Sequence, residues 1–362
     1  MTIGELLAKL DSGKPVTVLD VRNDDEFEHW KIEARQPFPV VHIPYFDFIE
    51  DEEAAVRRVP ATRGELVVVC AKGGSSEMVA EMLRGAGVAA ENLAGGMIDY
   101  GEFLQAVEVP LRPADQGRFE IWQLNRRGKG CLSYVIVSDT ESLVVDASRS
   151  VDVYERFLTQ RRLRVRHVLD THIHADHVSG GRALAAKAGS DYSIVEDGQI
   201  LRISRTPVRV IATPGHTPGS LCFLVAEQYL LSGDTLFTRA LGRPDLGGYV
   251  VEWSRDLFHT LTEKIAALPD STLVLPAHYG DVSEIGPDGF VGAELGILRK
   301  SLDEFRVRDC ETFTRMMQDA VRTPPAEYAK IIDLNAGRST ADTADVVQLE
   351  LGKNECAAGA HK

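Results

Sequence analysis

The 362-residue sequence predicts two α/β domains in succession. Three observations carry this. At roughly 150 residues per domain, this much chain exceeds one small module. Residues 1 to about 105 alternate apolar runs with helical patterns, as a parallel sheet with crossover helices does. From Phe119 onward the pattern changes to hairpin-like runs, followed by strands that each end in a polar cluster.

In the first domain, TVLDV (17–21) and ELVVVCA (65–71) read as buried strands, and the charged segments DDEFEHWKIE and FIEDEEAAVRR read as solvated helix faces. VEVPLRPADQG (107–117) interrupts both periodicities with two prolines, a glycine and mixed charge, which places a linker at 109–117 between domains at 1–108 and 118–335. FEIWQL, CLSYVIV and SLVVDA predict antiparallel strands. RVRHVLDTH, PVRVIATPG, LCFLVA, QYLLSGD and STLVLPAH are the later strands, and GRALAAKAG (181–189) is a helix. Residues 336–362 are polar and rich in small residues, predicting a loosely ordered tail in which Cys356 and His361 are incidental.

Composition narrows the function classes. With 44% hydrophobic and 26% charged residues the chain is in the globular range, and a net charge of −14 disfavours nucleic acid and anionic membranes as partners. No apolar run reaches the ~18 residues that span a bilayer, and the first residues lack a signal-peptide pattern, so a soluble, cytoplasmic protein is expected. Five cysteines without a CxxC pair imply neither a disulfide framework nor a zinc ribbon. Cys131, Cys222 and Cys310 read as core or incidental residues.

Three of ten histidines fall in THIHADH, directly after an apolar strand. Alternate side chains share a face, so His172 and His174 project together, and the turn into the next segment brings Asp176 and His177 back toward them. Imidazole and carboxylate without neighbouring thiols suit a catalytic metal rather than a closed structural zinc. PGHTPGS with His216, SGDTLF with Asp234 and PAHYGD with His278 each follow an apolar strand and supply further ligands.

HxHxDH, PGHTPGS, GD and PAH in this order resemble the metallo-β-lactamase fold superfamily over about residues 118–335. The resemblance implies an αβ/βα sandwich with a metal site at one edge of its two sheets. GDTLFTRALGRPDLGG, carrying Arg243 and Asp245, and the closing ETFTRMMQDAVRTPPAEYAKIIDLNAG are similar to the glyoxalase II-like branch and its persulfide dioxygenases. Membership there implies one Fe(II) per chain, held by His172, His216 and Asp234, with His174, Asp176, His177 and His278 around it. Asp176 is the proton-handling candidate, and Arg243, Asp245 and Tyr279 are the substrate contacts. The alternative is a thioester hydrolase with two Zn(II): His172, His174 and His216 on one ion, Asp176, His177 and His278 on the other, Asp234 bridging. After Pro276 the sequence suggests about one long helix and the tail, too little for glyoxalase II's helical substrate domain, which favours the dioxygenase.

Cys70 closes a buried strand and opens AKGGSSEMVAEML. The amides of Ala71, Lys72, Gly73, Gly74, Ser75 and Ser76, the following helix dipole and the Lys72 charge favour a thiolate or persulfide anion there. With TVLDVRNDDEF, VVHIPY and ENLAGGMIDY, residues 1–105 resemble a rhodanese domain, which implies Cys70 as the sulfur-accepting nucleophile. Together the resemblances imply an α/β rhodanese-like domain followed by a metallo-β-lactamase sandwich, acting in sulfide detoxification. The substrates expected are a low-molecular-weight persulfide, of glutathione or another thiol, and dioxygen, with sulfite or thiosulfate as product. A homodimer is allowed for, and a non-catalytic redox or partner-binding protein is the remaining alternative.

Overall fold

A computed structural model of the chain describes residues 1–356; His361 lies outside the described residues. The chain divides into two units: Met1–Gln105 with Arg126–Lys129 and Leu351–Lys353, and Ala106–Asn125 with Gly130–Glu350 and Asn354–Lys362.

The elements of the first unit are α1 (Ile3–Asp11), β1 (Val16–Asp20), α2 (Asp24–His29), β2 (Val40–His42), α3 (Tyr45–Glu50), α4 (Glu52–Arg58), β3 (Glu65–Val69), α5 (Gly74–Gly85), β4 (Glu91–Asn92) and α6 (Gly96–Glu102). The strands form a parallel sheet in the order β2-β1-β3-β4. Every residue of β1 is buried, because helices cover both faces and the strand has no solvent side to alternate with. Period two sorts the residues between those faces: Val16, Val18, Val67 and Val69 pack with Leu6, Leu7 and Leu10 of α1, while Leu19, Leu66 and Val68 pack with Val79, Ala80 and Leu83 of α5. Thr2 and Glu5 close a reciprocal capping box that starts α1.

The second unit contains a five-stranded sheet, β5-β6-β7-β8-β9, from β5 (Leu104–Glu108, which begins in the first unit), β6 (Glu120–Arg126), β7 (Cys131–Ser138), β8 (Glu141–Val145) and β9 (Arg164–Leu169), with α7 (Val151–Gln160) between the last two. After α8 (Gly181–Ala188) a six-stranded sheet runs β10 (Ile200–Ile203), β11 (Thr206–Ala212), β12 (Leu221–Val225), β13 (Tyr229–Gly233), β14 (Leu273–Pro276) and β15 (Ala293–Glu294), with α9 (Val250–His259) between β13 and β14. One buried cluster joins both sheets, with Tyr134, Ile136, Leu143 and Leu169 from the first and Val208, Val210, Phe223, Leu231 and Leu275 from the second. The other face of the six-stranded sheet, through Ile211, Leu224, Leu230 and Val274, packs on Leu257 of α9, Leu295 and Leu298 of α10 (Leu295–Ser301) and Phe313 of α11 (Cys310–Asp319). On the five-stranded sheet, Trp122 meets Phe157 of α7 edge-on at 5.3 Å. Helices therefore flank a pair of facing sheets, the αβ/βα arrangement.

Three expectations change. Residues 109–117 are not a free linker: Val109 is fully buried in the inter-sheet core, and the buried Asp115 carboxylate accepts from Tyr229 and Gln228 at 3.1 and 3.0 Å. The described part of the tail is ordered, with α13 (Thr343–Leu349) capped by Asp342 and Cys356 fully buried. Its order comes from polar anchors that no apolar periodicity announces: the Glu350 carboxylate accepts from the Val178 amide at 2.6 Å and from Arg149 at 3.0 Å. The chain after Pro276 also holds more than one helix, because α12 (Glu327–Asn335) joins α10, α11 and α13.

Candidate functional site

Strand direction gathers the site. β11 and β12 are antiparallel, β12 and β13 are antiparallel, and β13 and β14 are parallel, so β11, β13 and β14 end at the same edge of their sheet. His216 follows β11, Asp234 follows β13 and His278 follows β14, while His172, His174, Asp176 and His177 follow β9 of the facing sheet. Glycine makes two of these turns. Gly215 has φ +146 and a side chain there would come within 2.8 Å of the Leu257 backbone; Gly233 has φ +54 and would strike the Thr171 side chain at 2.7 Å. Each glycine precedes a site residue, so the turn can bend without displacing it.

Deep burial accompanies unsatisfied chemistry. His172 Nε2, His174 Nδ1, His177 Nε2, His216 Nε2, Asp234 Oδ2 and His278 Nε2 are buried without a hydrogen-bond partner. Such groups call for a ligand, since burial without a partner costs about 1–3 kcal/mol each. Three of these atoms, His172 Nε2, His216 Nε2 and Asp234 Oδ2, face one another, with the two nitrogens 3.6 and 3.4 Å from that oxygen. Two atoms each about 2.1 Å from a shared ion at a near-tetrahedral angle lie roughly 3.4 Å apart, so the set fits a metal. His172, His216 and Asp234 form one group whose donor atoms all fall within 4.8 Å of one another; Cys131, Asp176, His177 and His278 form a second.

Outer contacts fix the rings. His216 Nδ1 donates to the Arg243 carbonyl at 2.9 Å, which leaves the Nε2 lone pair for a cation, and His172 Nδ1 is 2.9 Å from Thr171 Oγ1. Asp146 accepts from the Thr171 amide at 2.6 Å and contacts His174 Nε2 at 3.1 Å, securing the whole loop. Burial holds His172 well below the usual imidazole range and lowers His216 as well, so both rings are neutral donors. Burial pushes the Asp234 carboxyl up, but His278 and His172 outweigh it and hold it low. In the second group burial depresses the imidazoles while Asp176 overrides it, pushing His177 up to about 10 and His278 well up, with Asp234 also acting on His278. His278 Nδ1 sits 2.6 Å from Asp234 Oδ1, and its Nε2 is 3.1 Å from Asp176 Oδ2.

The structure brings all seven predicted metal-site residues together, although His174 faces Asp146 rather than the triad. It does not leave the three predicted substrate contacts open to a substrate. Arg243 is buried, with its guanidinium bound to both oxygens of Asp245 at 2.7 and 2.6 Å and to the backbone carbonyls of Glu355 and Arg322; what it gives the site is its own carbonyl. The Tyr279 hydroxyl donates to Asn125 at 3.0 Å inside the core. Cys131 and Cys356, read as incidental, stand at the centre: Cys131 Sγ is 3.1 Å from Asp176 Oδ2, and Cys356 groups with Asp234 and His278. Asp146 and Asn335 also escaped the sequence reading. Asn335 donates to the carbonyls of His174 and His177 at 2.9 and 2.8 Å, and only the position of Asp146 at the end of SLVVDA, where other strands carry chemistry, marks it.

In the first unit, Cys70 lies between β3 and α5 and is 6% exposed. Its Sγ receives the Gly73 amide and the Ser76 hydroxyl, each at 3.1 Å, while Asn92 Oδ1 competes for that hydroxyl at 2.7 Å. Of the loop Ala71, Lys72, Gly73, Gly74, Ser75 and Ser76, these two residues reach the sulfur, and Lys72 is exposed. The Met97 and Ile98 amides at the start of α6 hold the carbonyls of Cys70 and Ala71 at 3.0 and 3.1 Å.

Comparison with known proteins finds relatives of both parts of the chain. Residues 126–190 and 187–278 match the model of the metallo-beta-lactamase superfamily, and residues 2–102 that of the rhodanese-like domain. Hydroxyacylglutathione hydrolase of Haemophilus ducreyi is 34% identical over 157 residues, 40% of this chain and 64% of that protein. The mitochondrial persulfide dioxygenase ETHE1 of Homo sapiens is 33% identical over 129 residues, 32% of this chain and 50% of that one. The chain thus spans between half and two thirds of the length of these relatives. The crystal structure of ETHE1 from Myxococcus xanthus superposes with a TM-score of 0.52 at 26% identity, covering 60% of this chain and 97% of that one. The curated relatives named are a hydrolase and a dioxygenase, and groups of side chains that could hold a metal are in place here. The chain carries a rhodanese-like domain followed by a metallo-β-lactamase domain.

Proposed function

We propose that the second domain oxidises a low-molecular-weight persulfide to sulfite and thiol, and that the first exchanges sulfane sulfur through Cys70. The observation that carries the reading is the triad of unpartnered atoms, two imidazole nitrogens and one carboxylate oxygen, within 4.8 Å of one another and without His174. A facial set of this composition suits ferrous iron, which when bound supplies open coordination positions for a sulfur atom and dioxygen together. The overall reaction balances as persulfide, dioxygen and water giving thiol, sulfite and protons.

The chain's own residues do the rest. The Arg243 carbonyl and Thr171 hydroxyl keep His216 and His172 oriented, and neutral rings at these positions leave a single carboxylate charge in the triad. His278, bonded to Asp234 Oδ1 on one side and next to Asp176 Oδ2 on the other, is placed to pass a proton to Asp176, which His177 and Cys131 also contact. In the first domain the Cys70 thiolate attacks the outer sulfur of a persulfide: the new S–S bond forms at Sγ, the old one breaks, and the departing thiolate takes a proton. Transfer of that sulfur to sulfite gives thiosulfate and restores Cys70. The five free thiols suit a reducing, cytoplasmic setting.

The dinuclear hydrolase is the second reading, favoured by the unpartnered atoms of His174, His177 and His278 beside the triad and by the helices after Pro276. Oxygen consumption by iron-loaded protein given glutathione persulfide, with S-lactoylglutathione cleavage by the zinc-loaded form in parallel, decides between them. Uptake with sulfite as product is expected. Thioester cleavage without uptake overturns the dioxygenase.

A further inference from the structure

A pocket of about 390 Å³, within the roughly 300–1,000 Å³ of small-molecule sites, shares no residue with the metal centre or the Cys70 loop. Its apolar floor is Leu261 and Phe313, both buried, with Phe258 meeting Phe313 at 5.5 Å between ring centroids and Phe305 lining it beside them. Leu261 lies in a π-helical turn, Thr260–Ile265, that extends α9, and such turns recur at functional sites. This wall is held in place: Thr260 Oγ1 donates to the Pro214 carbonyl at 2.8 Å, and the Arg299 guanidinium bonds to Asp270 and to the carbonyls of Ile265, Ala266 and Leu268. Two opposite charges also line the pocket, Glu304 and Arg308, and among the described residues neither enters an ion pair, with the other or with a third group. Burial, with Asp303 beside it, pushes the Glu304 carboxyl up, and no cation offsets the rise. A carboxylate lacking a cation and a guanidinium lacking an anion, over a floor of aromatic rings, are complementary to a ligand that carries both charges and an apolar body.

We propose that this pocket binds a free α-amino acid with a large apolar side chain, its ammonium on Glu304, its carboxylate on Arg308 and its side chain on Phe258, Phe305 and Phe313. A zwitterion satisfies both charged groups at once, whereas a simple amine or a simple carboxylate leaves one of them unpaired. The site goes beyond the reaction proposed above and needs neither a metal nor Cys70.

Isothermal titration of the full chain with L-phenylalanine tests this. Saturable binding is expected, weakened at least about tenfold for phenylacetate, which lacks the ammonium, and for phenethylamine, which lacks the carboxylate. Glu304→Gln should bring phenylalanine down to the affinity of phenylacetate and leave phenylacetate unchanged. Arg308→Gln should bring it down to that of phenethylamine and leave phenethylamine unchanged, so each variant carries its own control for an intact fold. Absence of saturable phenylalanine binding to wild type overturns the proposal. So does phenylacetate or phenethylamine binding as tightly as phenylalanine, or phenylalanine binding unaltered in either variant.

Discussion

Cys70 draws its donors from a few residues of the loop that follows it, Gly73 and Ser76, whereas the metal centre draws its atoms from four turns on two sheets between His172 and His278. The first is a local device: once a buried strand runs into a glycine-serine turn and a helix, the sulfur is provided for. The second exists only when β9, β11, β13 and β14 stand in register. Substitutions at the two should accordingly behave as independent sets, and each prediction below tests that independence.

The largest effect is expected from Asp234→Ala, which removes the one carboxylate from the triad. Metal content of the purified protein should fall by more than the ~100-fold that loss of outer partners causes, while sulfur transfer through Cys70 stays at the wild-type rate. Cys70→Ser is its mirror: sulfur transfer is abolished, and metal content and oxygen uptake with free persulfide are unchanged. Transfer surviving in that variant would remove Cys70 from the scheme. Asp146→Asn weakens the support of Thr171 and His174 and should lower metal affinity about tenfold by competition with a chelator. Ser76→Ala removes one hydrogen bond to Cys70 Sγ, worth roughly 1 kcal/mol, so transfer should slow about fivefold with metal binding untouched.

The smallest contrast concerns acid. Burial pushes Asp11 up, but its bonds to Arg127 and to the Arg35 amide outweigh this and hold its carboxyl below the ordinary range. A depressed folded value means that the unfolded chain binds the proton first. The stabilisation is therefore complete above the unfolded value of about 3.9 and is lost as pH falls through the folded one. Urea unfolding of Asp11→Asn between pH 3 and 6 should show a flatter acid limb for the first unit; an identical limb would remove Asp11 from its acid response.

Legibility followed the same local-versus-distant divide. His172, His216, Asp234 and His278 were readable because each sits in a short polar motif just after an apolar strand, and Cys70 because its loop is contiguous with it. Cys131 was not, since nothing beside it in CLSYVIV signals that it meets Asp176, and Cys356 lies in a segment whose order depends on partners such as Val178 and Arg149. Arg243, Asp245 and Tyr279 misled for the converse reason. A charged or phenolic residue near a motif looks available in one dimension, yet Arg243 and Asp245 satisfy each other and Tyr279 bonds to Asn125 in the core. Sequence shows more readily that polar groups gather at strand ends than which of them stay open to a substrate, because only the fold reveals which are already paired.

The spread of the triad over strands of facing sheets also sets an order of events during maturation. β9 lies in one sheet and β11 and β13 in the other, so His172 meets His216 and Asp234 only through packing of the two sheets, a contact of high sequence separation that forms late in folding. Until the sheets face each other, His172 has neither His216 nor Asp234 beside it, so nascent chain offers a metal only an incomplete set of donors. Cargo must arrive after the scaffold is finished, which makes ion identity a matter of what the cell supplies to a completed pocket rather than of what helped the polypeptide to fold.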